Sequence, residues 1–430
     1  MLNHLIKLII IFLLVFTPIA FGSMELWAFS LMELGILLII VLWAIQKSIF
    51  GSQSAILNPQ SAISLNSELR TPNSTFCFIL LSLFLLLVFI QMIPLPSEII
   101  KIISPKTYAF RHSLSFEPSA SSLQLSLVPF ATKIEFFKWL TLTGFFLFFL
   151  NWESSNGDIV NPLILTIMLV GIGESLYGMF EFFSGHRYIL NLDMQVSAVT
   201  GTFINRNYFA GYLLMVIPLS VGYLFSRESY QKGRFMGWRH RLSSLDGKTL
   251  LIAFGIILMI LGLLFSASRM GIVSLLLSFS LISILFRESQ RGQKFSKTTV
   301  LIFGLALLWA VWIGLDAVIS RFFIVSESFE ERWMIWVNTF QIIKDFPIMG
   351  SGLGTFVHVF PVYRSFHIRG LVTHAENDFL QLASEVGLIG IGLLLFVFVF
   401  LFFRTLLAIR SFHSRDSKKY IGIGGLVGIL

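Results

Sequence analysis

The chain has 430 residues, of which 56% are hydrophobic and 13% charged, with a mean hydropathy of +0.83. Soluble domains carry about 25% charged residues, so a water-soluble globular class is excluded. The formal net charge of +8 does not point to nucleic acid, because the basic residues gather in short loops between apolar runs, where they set topology.

Apolar runs recur at about 5–22, 27–45, 76–92, 134–151, 162–183, 208–225, 249–267, 271–286, 299–315, 386–409 and 421–430. Runs of this length cross a hydrocarbon layer of about 30 Å as helices, whereas barrel strands would alternate at period two. The expected fold is all-α: a polytopic transmembrane helical bundle with a long extracytoplasmic loop containing short helices. The first run lacks a small-residue cleavage site and a second follows at once, so it reads as a retained anchor. The last, in "YIGIGGLVGIL", is shorter than a membrane and is expected to be the start of a helix that continues past residue 430. The single cysteine, Cys77, lies in an apolar run and excludes an internal disulfide framework and a cysteine-based metal site.

Between the runs, residues 46–75 read as a connector, its 51–75 stretch rich in Ser, Asn, Gln and Pro. The 93–133 loop, with several prolines and the pairs Ile99-Ile100 and Ile102-Ile103, is expected at a membrane–water interface. Lysine and arginine concentrate in loops 226–248, 287–298 and 410–419, which alternating spans put on one side. That side is expected to be the cytoplasm, with the N-terminus there too. Loops 93–133, 184–207 and 316–385 then lie outside. Residues 1–183 form an N-terminal set of spans, and 184–430 form a second region that includes the 316–385 loop.

That loop is the longest segment between spans. Trp333, Trp336, Val337 and Phe340 fall on one helical face. Pro347 and Gly350 end that helix, and Gly352 and Gly354 allow a tight loop whose backbone N–H groups could approach an anion. On a helix starting near His374, residues His374, Asp378, Gln381 and Glu385 share a face, and Phe379, Leu380, Leu382, Ala383 and Val386 share the other. Such a helix packs its apolar side and turns its polar side to a cavity. The bland alternative is a solvated helix start, where acidic residues favour the macrodipole.

Arginine supplies the complementary chemistry. Arg206 sits between Asn205 and Asn207 at the outer start of the 208–225 span, Arg269 in the short outer turn before 271–286, and Arg364 and Arg369 upstream of His374. Guanidinium forks match phosphate geometry, and a lipid diphosphate is the anion expected at that depth.

Three stretches carry a resemblance: "TGTFINRNYFAGYL" (200–213), "SASRMG" (266–271), and "FPIMGSGLGTF" with "HAENDFLQLASEVGLIG" (346–390). With the late exterior loop, they make the chain similar to the O-antigen ligase and polymerase family of polytopic membrane glycosyltransferases. The resemblance implies transfer of a glycan from an undecaprenyl-diphosphate donor to an acceptor hydroxyl on a glycan or lipid, outside a bacterial inner membrane. It implies an inverting reaction without metal or cofactor, in which arginines hold the diphosphate and an outer-loop histidine is the base. Carried onto this sequence, Arg206, Arg269 and Arg364 are the diphosphate candidates. His374 and Glu376 are the candidate bases, and Asn205, Asn207, Asn377, Asp378 and Gln381 support them. Glu376 stands where ligases have a histidine directly before the amide matched by Asn377, and Val199 stands where an arginine often precedes the "TG" pair. The chain therefore resembles a divergent member. Glu174, mid-span in "GIGESLYGMFEFF", has no role in this scheme. It speaks for a carrier of a small solute such as bicarbonate, or for a buried structural pair. A non-catalytic component of a polysaccharide assembly complex is a further reading.

Overall fold

The computed structural model describes residues 2–57, 72–114, 122–152, 159–186, 188–190, 192–193, 198–230, 247–287, 304, 326–367, 370–412 and 417–430. The chain is a polytopic all-α membrane protein. Its helices are α1 (Leu2–Ile19), α2 (Leu26–Leu57), α3 (Pro72–Met92), α4 (Ser97–Ile103), α5 (Pro105–Leu114), α6 (Pro129–Asn151), α7 (Val160–Ser184), α8 (Arg206–Tyr230), α9 (Gly247–Phe265), α10 (Arg269–Arg287), α11 (Ser326–Asp345), α12 (Phe356–Tyr363), α13 (Asp378–Ser411) and α14 (Ser417–Ile429). Two short antiparallel pairs interrupt them, β1 (Pro94–Pro96) with β2 (Ser122–Gln124) and β3 (Tyr188–Ile189) with β4 (Leu192–Asp193).

Among the described residues nine helices are long and apolar enough to cross a membrane, and each coincides with an apolar run read from the sequence. A helix is the natural state for such runs, because it pairs backbone groups internally where lipid offers no partners. The expected span at 299–315 lies, apart from residue 304, outside the described residues. The run at 421–430 forms α14, a 13-residue helix.

The chain divides into two compact units. The first comprises Met1–Gly35, Ser154–Ile324 and Phe402–Leu430. At its centre are α8 and α9, whose most apolar stretches are 72% and 61% buried, against 22% for α1 and 28% for α10. Its core includes Phe209, Leu213, Ile217, Ile256, Met259, Ile260 and Leu263. Small residues let α14 pack on α8: a Cβ added to Gly424 would lie 2.5 Å from the Pro218 carbonyl, and one on Gly428 2.7 Å from the Met215 carbonyl. This four-residue spacing of glycines is a common device for close helix contact in membranes. Glu174 is a buried structural partner here. Its carboxylate accepts the Thr202 backbone N–H at 2.8 Å and the Thr202 hydroxyl at 2.9 Å.

The second unit comprises Ile36–Glu153 and Val325–Leu401. Here α3 packs on α6, with the Phe84 and Trp139 rings 5.1 Å apart. The 93–133 loop is built from the β1–β2 pair enclosing α4 and α5; Ile100 is buried and Ile102 is 80% exposed, so the apolar pairs face both ways. A second core gathers Ile342, Phe346, Phe356, Phe360 and Ala375. The helical face of Trp333, Val337 and Phe340 is exposed, and α11 instead buries Ile335, Asn338, Thr339 and Ile342. Lys106 and the Tyr363 hydroxyl both reach Asp345 Oδ2, at 3.2 and 2.7 Å. Burial and the neighbouring Asp345 charge push the Tyr363 phenol up, so it stays a donor. Buried Gln91 ties the unit together: its amide donates to the carbonyls of Met349 (2.5 Å) and Glu385 (3.0 Å), and its oxygen accepts from Leu353 N–H (3.1 Å).

Candidate active site

The candidate residues fall into two groups, one in each unit. In the first unit, Asn205 caps α8: its Oδ1 accepts the Asn207 N–H at 2.8 Å, and its carbonyl accepts the N–H of Phe209 at 3.2 Å. Ser268 caps α10, its Oγ accepting the Gly271 N–H at 3.4 Å and donating to Asn207 Oδ1 at 3.0 Å. That last bond joins the two helix starts. Each helix opens on an arginine, Arg206 in α8 and Arg269 in α10. Sequence spacing alone leaves these arginines 63 residues apart; the Asn207–Ser268 bond places their helix ends side by side.

Both side chains are half-buried. The Arg206 Nη1 is buried and makes no hydrogen bond among the described residues. A buried guanidinium nitrogen without an acceptor is costly, and an anion would satisfy it. The positive ends of two helix dipoles add to the guanidinium charge. Just before this turn Ala267 adopts φ +51, a left-handed conformation unusual for a residue with a Cβ. Such strain collects where a site fixes its backbone.

In the second unit α13 starts at Asp378. The expected start near His374 is corrected by two local features. Glu376 lies at φ +53, which no helix interior accommodates. Asn377 then caps the helix, its Oδ1 accepting the N–H groups of Phe379 and Leu380 at 3.1 Å each. His374 is consequently not on the helical face of Asp378, Gln381 and Glu385. Ala375 is the fixed point of the preceding segment. It is fully buried, its carbonyl accepts the Trp336 indole N–H at 3.1 Å, and its N–H donates to Gln381 Oε1 at 3.1 Å. His374 and Glu376 flank it with exposed side chains. Arg332, which no sequence pattern singled out, pairs with Glu376 at 3.4 Å. Arg364 follows the last residue of α12 and is exposed; Arg369 lies outside the described residues.

The polar face of α13 does not open to a cavity as expected. Gln381 is engaged by Ala375, and Glu385, 3% exposed, accepts the N–H groups of Gly354 at 2.9 Å and Phe356 at 3.1 Å. The glycine loop does present N–H groups to an acceptor, and that acceptor is the Glu385 carboxyl group. Glycine is required at 350 and 387, both at positive φ: a side chain on Gly350 would collide with the Glu385 carbonyl, and one on Gly387 with the Ile348 carbonyl. Gly387 also breaks α13, so a short helix carrying Gln381 and Glu385 precedes the apolar span.

Residues 254–396 match a family model described as O-antigen ligase. Through this region, about a third of its length, the chain is similar to the O-antigen ligase family. The matched stretch holds Arg269, Arg364, His374, Glu376, Asn377, Asp378 and Gln381, while Asn205, Arg206 and Asn207 precede it. Neither a curated protein nor a solved structure matches the chain. That match supports a membrane function of the O-antigen ligase or polymerase type, in polysaccharide biosynthesis.

Proposed function

We propose that this O-antigen ligase-like protein transfers a glycan from an undecaprenyl-diphosphate carrier to an acceptor hydroxyl. The reaction takes place at the periplasmic side of a bacterial inner membrane, with the N-terminus in the cytoplasm. The observation that carries the proposal is the pairing of α8 and α10 at their N-termini. It brings together two guanidinium-bearing positions, one of them with a buried nitrogen lacking an acceptor among the described residues. Arg206 and Arg269 hold the donor diphosphate, with Arg364 as a third cation.

The acceptor oxygen attacks the anomeric carbon from the face opposite the diphosphate. The new carbon–oxygen bond forms as the old one breaks, inverting the centre, and the diphosphate leaves with the bonding electrons. The acceptor's proton passes to His374 or Glu376. Because the leaving group is already a stable anion, charge stabilisation matters more than proton removal. Glu376 sits in a strained backbone beside Arg332, the kind of local outlier that function maintains. Asn205, Asn207, Asn377, Asp378 and Gln381 set the helix starts and loop that present these groups. The scheme needs no metal or cofactor.

The carrier reading drew on Glu174, whose carboxylate is engaged by Thr202 in a structural tie. Glycan transfer in liposomes loaded with lipid-linked donor tests the proposal. Arg269→Ala should lower transfer at least about hundredfold, the usual scale for losing one charge-stabilising donor, while the protein still inserts. Full transfer by that variant overturns the assignment; solute uptake without transfer by the unaltered protein favours a carrier.

A further inference from the structure

A cavity of about 600 Å³ lies within the first unit, away from the proposed site. Its lining includes Val160 and Asn161 at the start of α7, Arg227 near the end of α8, Phe412, and Lys418 and Ile421 in the first turns of α14. Arg227 is 21 residues along α8 from Arg206. At 1.5 Å per residue this is about 32 Å, close to the thickness of a bilayer's hydrocarbon core. The cavity therefore belongs to the membrane surface opposite the arginine pair. The loops that adjoin it in sequence, 226–248 and 410–419, are rich in lysine and arginine, the mark of a cytoplasmic face.

The lining has two kinds of wall. Arg227 and Lys418 are cationic and Asn161 is a neutral hydrogen-bonding group; Val160, Phe412 and Ile421 are apolar. A free inorganic anion has no use for the second wall, and an uncharged hydrocarbon has none for the first. Both walls suit an amphiphile with a phosphate at one end. Basic pockets between spans on the cytoplasmic side are suited to anionic headgroups, and the first turns of α7 and α14 add the positive ends of their dipoles. We propose that this cavity binds one anionic phospholipid of the cytoplasmic leaflet. The phosphate sits between Arg227 and Lys418, and the chains run along Val160, Phe412 and Ile421. This site is separate from the proposed donor site and does not depend on glycan transfer.

Native mass spectrometry of the full chain in a zwitterionic detergent tests it, with added phosphatidylglycerol, phosphatidylcholine or inorganic phosphate. Phosphatidylglycerol should stay bound and phosphatidylcholine should not. The double variant Arg227→Gln/Lys418→Gln should lose about thirtyfold in affinity, roughly fivefold per cation. A photoactivatable phosphatidylglycerol on the unaltered protein gives a readout that needs no variant: labels should map to residues 417–422 or to the first turn of α7. Equal retention by the double variant, equal binding of phosphatidylcholine, or labels confined elsewhere would overturn the proposal. Displacement of the lipid by millimolar inorganic phosphate would also overturn it, marking a soluble-anion site instead.

Discussion

Replacing Glu385 with alanine isolates the contribution of one buried carboxylate. In the native protein it accepts the Gly354 and Phe356 N–H groups and lies 3.5 Å from the Gln381 amide nitrogen. Alanine leaves the buried Phe356 N–H and the part-buried Gly354 N–H without an acceptor. Each orphaned donor costs about 1–3 kcal/mol, so the loss is roughly 2–6 kcal/mol, before any relief from removing a buried acid. Glu385→Gln is the milder test. Its amide oxygen satisfies one N–H while its NH₂ opposes the other, so it should lose about 1–3 kcal/mol. Thermal unfolding in detergent, followed by tryptophan fluorescence, should rank the variants wild type, Gln, Ala in falling stability. Transfer activity should fall in the same order, because Gln381 also holds the Ala375 N–H between the candidate bases. An alanine variant that melts with the wild type would refute this account, since two donors, one of them fully buried, would then have been orphaned without consequence.

Glu376→Gly should keep or raise the melting temperature. Glycine removes a left-handed backbone cost of about 1–2 kcal/mol, and the exposed Arg332 pair it loses contributes only about 0–1 kcal/mol. Among His374→Ala and Glu376→Gly, at least one should reduce transfer by about 10²- to 10⁴-fold, the range for a positioned base; wild-type turnover in both places the base elsewhere. Gly350→Ala should fail to accumulate as folded protein on membrane-fraction immunoblots, because its Cβ meets the Glu385 carbonyl and its φ is +71. Normal accumulation would mean that the 347–354 loop yields more readily than its hydrogen bonds imply.

The spans were legible because lipid makes the requirement one-dimensional: a sufficiently long apolar run must be a helix. The start of α13 was not, because Asn377 as a cap and Glu376 as a left-handed residue are backbone features that helical periodicity does not encode. A closer reading of "SASRMG" could have identified Ser268 as a cap before Arg269, since serine ahead of an apolar run is a helix-start signal. No such signal marks its bond to Asn207, which spans 61 positions, or the reach of Gln91 to Glu385 across 294. Arg332 is similarly silent: in "ERWMIW" it reads as one more helix-surface cation, and its pairing with Glu376 depends on how α11 meets the segment before α13.

Glu174 and Glu385 suggested different things in sequence and do similar work in the fold. An acidic group at the centre of a span, as Glu174 is, costs up to about 2.5–3.5 kcal/mol on insertion scales, and a buried acid such as Glu385 is costly wherever it lies, so each needs a compensating set of donors. Each finds two in a Gly-Thr-Phe stretch of loop: Thr202 N–H and hydroxyl for Glu174, Gly354 and Phe356 N–H for Glu385. In the first unit the clasped stretch runs directly into Asn205 and Arg206. In the second, Gln381 connects the clasping acid to the loop between His374 and Glu376. Both carboxylates therefore stand one linkage away from residues proposed to meet the substrate, with their own oxygens already occupied. An acid committed to holding a loop is poorly suited to shuttling a proton or solute, which is why two buried glutamates here argue for positioned loops rather than for a transport path.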